Sequence, residues 1–342
     1  MHYIRTEGWG DTNMQQLDRS KIIDIAKGIG IMLVVLGHLN TPLCPFVYQF
    51  HMPLFFFISG WLFKDTYLDA KRVFCEKRAK SLLIPYVFFY VVAFLFLPHD
   101  QASWKDIFSI KYAHNILGTF WFLRELLKSS LLILFFAWLL RRICNWKIIL
   151  PAILFFLVHL LNWLGVDGLS HTLYFAFFFS VGIMVKSSSS GGISLKFQYV
   201  ASLGCFLVVL GLSQRCHLIV STTTWKTFAL YAVGAFAGIY LTFFMSRIVE
   251  KARFVSIFFV ILGRYTMPIM IFHFSIFFVI DYVKEVFGVN ELLLVIDAPV
   301  KLLAGVFIPI IIGTVYNYLK NRFVYPLFER VFGSSNVVRK II

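Results

Sequence analysis

Ten apolar runs, each long enough to cross a bilayer, decide what this chain can fold into. They fall near residues 22–40, 46–63, 81–98, 118–140, 148–164, 169–185, 197–213, 225–245, 256–282 and 299–319. A helix needs about 20 residues to traverse roughly 30 Å of hydrocarbon, and backbone surrounded by lipid must satisfy its own hydrogen bonds. The expected fold is therefore all-α: a polytopic integral membrane protein with about ten transmembrane helices. Composition agrees, since a chain of 342 residues that is 59% hydrophobic and holds 40 Phe exceeds what a soluble core of this size buries. The polar first 20 residues run straight into an apolar segment containing Asp24 and Lys27, without a small-residue cleavage pattern, so the first helix is expected to be retained.

Loop charges set the expected orientation, because cytoplasmic loops gather Lys and Arg. With the N-terminus inside, the inner segments hold Arg19 and Lys21; Lys64, Lys71, Arg72, Lys77, Arg78 and Lys80; Arg141, Arg142 and Lys147; Lys186 and Lys196; and Arg247, Lys251 and Arg253. The tail adds Lys320, Arg322, Arg330, Arg339 and Lys340, while the outer loops are poor in both residues. This gives a cytoplasmic segment over 1–20, a membrane domain over 21–320 and a cytoplasmic tail over 321–342. The formal charge of +15 is spread over every inner loop, which reads as topology and points to membrane lipids, not nucleic acid, as partners. The five cysteines show no CxxC or Cys/His spacing, so neither a metal site nor a disulfide framework is indicated. "KSSSSGG" at 186–192 reads as a flexible inner loop, and no internal repeat is evident.

Ionisable residues inside spans are costly and mark candidate sites. In "KIIDIAKGIGIMLVVLGHLN", Lys27 and His38 are about 20° out of register and about 16 Å apart along the axis. Asp24 lies one turn before Lys27 on that face, and Gly30 and Gly37 suggest a groove-like strip beside it. An interfacial Asp24–Lys27 salt bridge is the plainer alternative. His51 opens "FHMPLFFFISGWLF" across the short turn "TPLCPF", so His38 and His51 are expected to line one outer-half pocket. "GTFWFLRELLK" places Arg124 and Glu125 one to two turns below the outer surface, about 100° apart around the helix. In "LGRYTMPIMIFHF", Gly263, Thr266 and Pro268 predict a break, with Thr266 as N-cap. The break leaves Arg264 at the cytoplasmic side and His273 near mid-membrane.

Together "DIAKGIGIMLVVLGH", "FHMPLFFFISGWLF", "FWFLREL" and "LGRYTMPIMIFH" resemble, in order and over nearly the whole chain, the acyltransferase 3 family of membrane acyltransferases. The nearest likeness is to the branch related to fucose 4-O-acetylases. The family's pattern of a basic residue and a histidine eleven positions apart falls on Lys27 and His38, with Lys where many members have Arg. The resemblance implies that His38 is the catalytic histidine, that acetyl-CoA is the acyl donor and that a hydroxyl of a cell-surface glycan is the acceptor. It also implies a bacterial cytoplasmic membrane.

The expected reaction is acyl transfer with His38 as general base. His51, Arg124 and Glu125 are its catalytic companions, and Asp24, Lys27 and Arg264 are placed at the CoA phosphates. His273 is a further candidate, no metal is called for, and acetyl-CoA is a substrate, not a tightly bound cofactor. A transporter or flippase for a lipid-linked sugar is the alternative, because transport paths also hold intramembrane charges.

Overall fold

A computed structural model describes residues 9–39, 41–96, 118–143, 145–188, 195–213, 224–288, 294–319 and 322, and among them every regular element is helical. Thirteen α-helices are described. They are α1 (Trp9–Gly37), α2 (Cys44–Val47), α3 (His51–Trp61), α4 (Lys71–Arg78), α5 (Ile84–Phe96), α6 (Trp121–Leu140), α7 (Trp146–Trp163), α8 (Asp167–Ser188), α9 (Leu195–Ser213), α10 (Trp225–Lys251), α11 (Arg253–Arg264), α12 (Thr266–Val286) and α13 (Leu294–Leu319). Five stretches are long and apolar enough to cross a bilayer, namely α7, α10, α12, residues 169–187 of α8 and residues 297–319 of α13, and a shorter apolar helix covers 197–213. The protein is an all-α, multi-pass membrane protein. Most of the serine-rich loop and, apart from Arg322, the expected tail at 321–342 lie outside the described residues.

Prolines explain where the helices depart from the apolar runs. A proline cannot donate to the carbonyl four residues back, and its ring crowds that oxygen. The expected helix over 46–63 is accordingly interrupted at 48–50, four residues before Pro53, and only His51–Trp61 continues as α3. Pro85 is preceded by a π-helical turn over Ala79–Leu83. The break anticipated within 256–282 is present at Tyr265, between α11 and α12, with Pro268 in the first turn that follows. Thr266 is not its cap: Tyr265 holds the N-cap position and Thr266 is the first helical residue.

The chain forms two compact units, residues 1–264 and 265–342. In the first, α1 packs on α3, α10 and α11, α3 packs on α8, and α8 packs on α6 and α7. Lipid removes the hydrophobic drive between helices, so close backbone approach at small residues matters more than in water. Two helix pairs show it reciprocally. A Cβ on Gly28 would lie 2.0 Å from the Phe259 carbonyl oxygen, and one on Gly263 would lie 1.9 Å from that of Asp24, locking α1 to α11. Gly60 and Gly182 likewise face the carbonyls of Phe179 and Phe57 at 1.8 and 2.1 Å, locking α3 to α8. Phenylalanine fills the remaining space: Phe56 stacks on Phe175 at 4.4 Å, and Phe178, Phe179 and Phe228 are fully buried.

The second unit is built on the α12/α13 pair. Pro268 and Tyr265 fill the space at Gly313, and Phe277 fills that at Gly305. Four charges tie the helices together: Lys284 bonds Asp297 and lies 3.7 Å from Asp281, while Lys301 reaches Asp281 at 2.6 Å and Asp297 at 3.2 Å.

Candidate functional site

Within the first unit, α1 ends where α3, α6 and α8 begin, because Phe55 and Phe56 of α3 pack on Phe122 at 5.7 and 5.6 Å and Phe56 stacks on Phe175. His38, His51, Arg124 and Glu125 therefore gather toward one end of this bundle. At the opposite end, Arg141 pairs with Asp69 at 2.8 Å, Lys147 with Asp65 at 2.6 Å, and Lys186 bonds the Phe63 carbonyl at 2.7 Å.

His38 follows the last helical residue of α1. Its Nδ1–H donates to the Val34 carbonyl at 2.9 Å; a carbonyl only accepts, so the proton sits on Nδ1 and the basic lone pair on Nε2. The helix end is held from the next turn. The Gly37 carbonyl accepts from the Tyr48 hydroxyl at 2.7 Å and from the Cys44 thiol at 3.1 Å, a side-chain answer to an orphan C-terminal oxygen. His51 repeats the local pattern, with Nδ1–H on the Val47 carbonyl at 2.9 Å.

Tyr48 joins the two imidazoles. Its ring lies edge-on to His38 at 6.3 Å and tilted against His51 at 5.3 Å. The turn that carries it is bolted to neighbouring helices: Tyr231 of α10 donates to the Tyr48 carbonyl at 3.3 Å, and Gln49 Nε2 donates to Val209 of α9 at 2.8 Å. Sequence reasoning missed Tyr48, Gln49 and Tyr231. Tyr48 and Gln49 were visible as polar residues in "FVYQFH", but nothing local ties Tyr231 to them. His51 is buried and His38 half-buried, so the pocket expected between them is occupied by the Tyr48 ring.

The groove expected along α1 is closed in this structure. Ile31 and Val34, which lie on the face between Lys27 and His38, are fully buried. Leu54 and Phe55 side chains fill the space at Gly30, and Tyr48 and Val47 fill that at Gly37. The glycines serve helix packing. At the far end of this face, Asp24 and Lys27 form the ion pair at 2.6 Å. The Gly28/Gly263 contact sets the Asp24 backbone against the residue before Arg264, whose side chain is exposed. The Asp24–Lys27 pair and Arg264 thus lie near the α1/α11 crossing, with the pair on α1 and Arg264 at the end of α11.

A second polar cluster spans α6 and α8. Glu125 is 3% exposed and both of its oxygens are engaged. Oε1 accepts from Lys128 at 3.1 Å and lies 3.5 Å from Arg124 Nε. Oε2 accepts from Thr172 at 2.8 Å and lies 4.0 Å from His171 Nδ1. Ser129 donates to the Thr172 carbonyl at 3.1 Å, and Trp121 packs beside His171 at 6.2 Å. Arg124 and Glu125 diverge around the helix as expected, yet both belong to this cluster. Lys128, His171 and Thr172 are additions that "LRELLK" and "LSHTLYF" could have suggested only if α6 and α8 were known to touch.

His273 belongs to the second unit. It is fully buried, its Nδ1–H donates to Ile269 at 2.7 Å, and Phe274 and Phe277 pack beside it at 6.5 and 5.9 Å. Among the described residues no group of three His, Cys, Asp or Glu is arranged to hold a metal ion.

Residues 20–318 match Acyl_transf_3, described as an acyltransferase domain. The nodulation protein NolL of Sinorhizobium fredii is 37% identical over 143 residues, covering 35% of this chain and 37% of that protein. NolL of Mesorhizobium japonicum is 30% identical over 134 residues, or 34% and 35% of the two chains. The chain thus spans little more than a third of the curated relatives it matches. No solved structure matches.

Proposed function

The chain belongs to the Acyl_transf_3 family of acyltransferase domains, and from that premise we propose that it transfers an acyl group, acetyl, from CoA to a hydroxyl of a cell-surface or lipid-linked carbohydrate. The observation that carries the reading is His38: a half-buried imidazole with its tautomer fixed by Val34, presenting a basic Nε2. Nε2 takes the proton of the acceptor hydroxyl as its oxygen attacks the thioester carbonyl. Collapse of the tetrahedral intermediate expels the CoA thiolate, which recovers that proton from the imidazolium. The positive charge of Arg124 offsets the developing oxyanion or orients the acceptor.

His51 and Glu125 act through others. His51 supports Tyr48, and Glu125, with both oxygens engaged, holds its cationic neighbours. Lys27 and Arg264 receive the CoA phosphates, with Asp24 fixing Lys27. The arm of the donor does not run along the sealed α1 face; it reaches His38 only if α1 parts from its neighbours or by another side of the bundle. Acetyl-CoA is consumed as a substrate and no cofactor stays bound. The protein sits in a bacterial cytoplasmic membrane with both termini inside, a reading supported by the basic residues clustered at the end opposite His38. Family membership favours this chemistry over transport of a lipid-linked sugar.

The test is mass spectrometry of surface glycans from cells with the wild-type gene, a deletion, and His38→Ala at matched membrane abundance. Loss of one acyl group in both mutants is the expected result. Unchanged acylation in both, in a strain shown to make the glycan, defeats the proposal.

A further inference from the structure

Lys128 stands where an ammonium group is costly. It lies about 10 Å of helix rise beyond Trp121, the first residue of α6, yet its side chain is 37% exposed. A lysine facing hydrocarbon near mid-helix is costly, so charged residues at such depth face a water-filled recess or a partner. Among the described residues, Glu125 is the hydrogen-bond partner of Lys128 and takes one of its three N–H groups.

The surroundings suit a ligand of definite chemistry. Glu125 meets two permanent cations, Arg124 and Lys128, so among the described residues the cluster keeps a positive charge. Because Lys128 and Thr172 each engage one oxygen of the carboxylate, it sets the direction of the cations. The Trp121 ring, packed on Phe175 at 5.6 Å, and the His171 imidazole supply a flat wall beside these donors. Donor-rich, cationic and partly desolvated, the arrangement favours an oxyanion over a neutral hydroxyl.

We propose that Lys128 and Arg124, oriented by Glu125, form an acceptor subsite for an anionic carbohydrate, whose carboxylate or phosphate oxygens dock on the two cations while its ring lies against Trp121. Its place in a reaction rests on the acyl-transfer reading; its ligand chemistry does not. The anion docks on this cluster while the hydroxyl reacts at His38, both toward the end of the bundle where Phe55 and Phe56 of α3 pack on Phe122 of α6 and Phe56 stacks on Phe175 of α8.

The test uses the full chain in lipid nanodiscs, with glucuronate, glucose 1-phosphate and glucose titrated in turn and binding read by saturation-transfer NMR. At least one anion is expected to bind about tenfold or more tightly than glucose, in wild type and in Lys128→Arg, with the preference lost in Lys128→Gln. Arg124→Gln is the second variant if Lys128→Gln does not yield folded protein, and the same loss is expected. Preference for glucuronate puts the charge on the sugar; preference for glucose 1-phosphate puts it on a carrier phosphate. Equal binding of all three, binding of none, or an anion preference that survives Lys128→Gln overturns the proposal. Thiol release from acetyl-CoA in the same preparations reads transfer separately. Anion preference without transfer to any sugar defeats the transferase reading alone, and transfer without anion preference defeats the subsite alone.

Discussion

His38 and His273 make the same local bond in different surroundings. Each donates Nδ1–H to the carbonyl four residues back, at 2.9 and 2.7 Å. His38 stands at a helix end, half-buried, against a tyrosine whose hydroxyl caps that end. His273 sits inside α12 with phenylalanine on the same helix and no exposed surface. A helix can fix the tautomer of any histidine it carries; access decides whether the remaining nitrogen meets a substrate. Reading function from histidines in membrane helices therefore requires the end of the helix as well as its face.

Substitution tests that contrast directly. His38→Ala should lower transfer by about 10²–10⁴-fold, the range for losing a general base, whereas His273→Ala should leave turnover per folded molecule nearly unchanged and lower the thermal midpoint in detergent. Equal losses of turnover from both would erase the distinction. Gly28→Ala is next in size: its methyl meets the Phe259 carbonyl, and overpacking of this kind costs about 1–3 kcal/mol. The readout is thermal unfolding, and an unchanged midpoint would mean that α1 and α11 are not locked there.

Tyr48→Phe keeps the ring between the imidazoles and removes the bond to Gly37. A hydrogen bond of about 0.5–1.5 kcal/mol corresponds to a fall in kcat of up to about tenfold with KM for acetyl-CoA unchanged. A change confined to KM would place Tyr48 in donor binding instead. Asp281→Asn, at an exposed corner of the α12/α13 network, should cost less than about 1 kcal/mol. A larger loss of thermal stability would show that the second unit depends on its ion pairs more than on its apolar contact.

The helices were legible because 20-residue apolar runs admit few alternatives, and the break at Tyr265 was legible because Gly263 and Pro268 announce it. The interruption at 48–50 was not read, although Pro53 carries the same signal as Pro268, because unbroken hydrophobicity masked it. At the site, periodicity placed Asp24, Lys27 and His38 on one face correctly but could not show what packs on that face. Gly30 looked like open space and is filled by α3, while Gly28, which sets the α1/α11 approach, went unmarked. Residues that join distant helices, such as Tyr231 to Tyr48 and Thr172 to Glu125, leave no trace at short range in sequence.

The ion-pair network of α12 and α13 also bears on how the chain reaches its membrane. Asp281, Asp297 and both lysines are joined across the helices by Lys284–Asp297 and Lys301–Asp281, and α12 carries one further carboxylate, Glu285. On the proposed orientation, the connection between these helices has to be carried through the bilayer during biosynthesis. Carried as ion pairs, these four charges present the insertion machinery with two compensated pairs in place of four separately hydrated ions. Removing one lysine would leave an unmatched carboxylate in transit, so the penalty would fall on the yield of inserted protein before any effect on the finished fold.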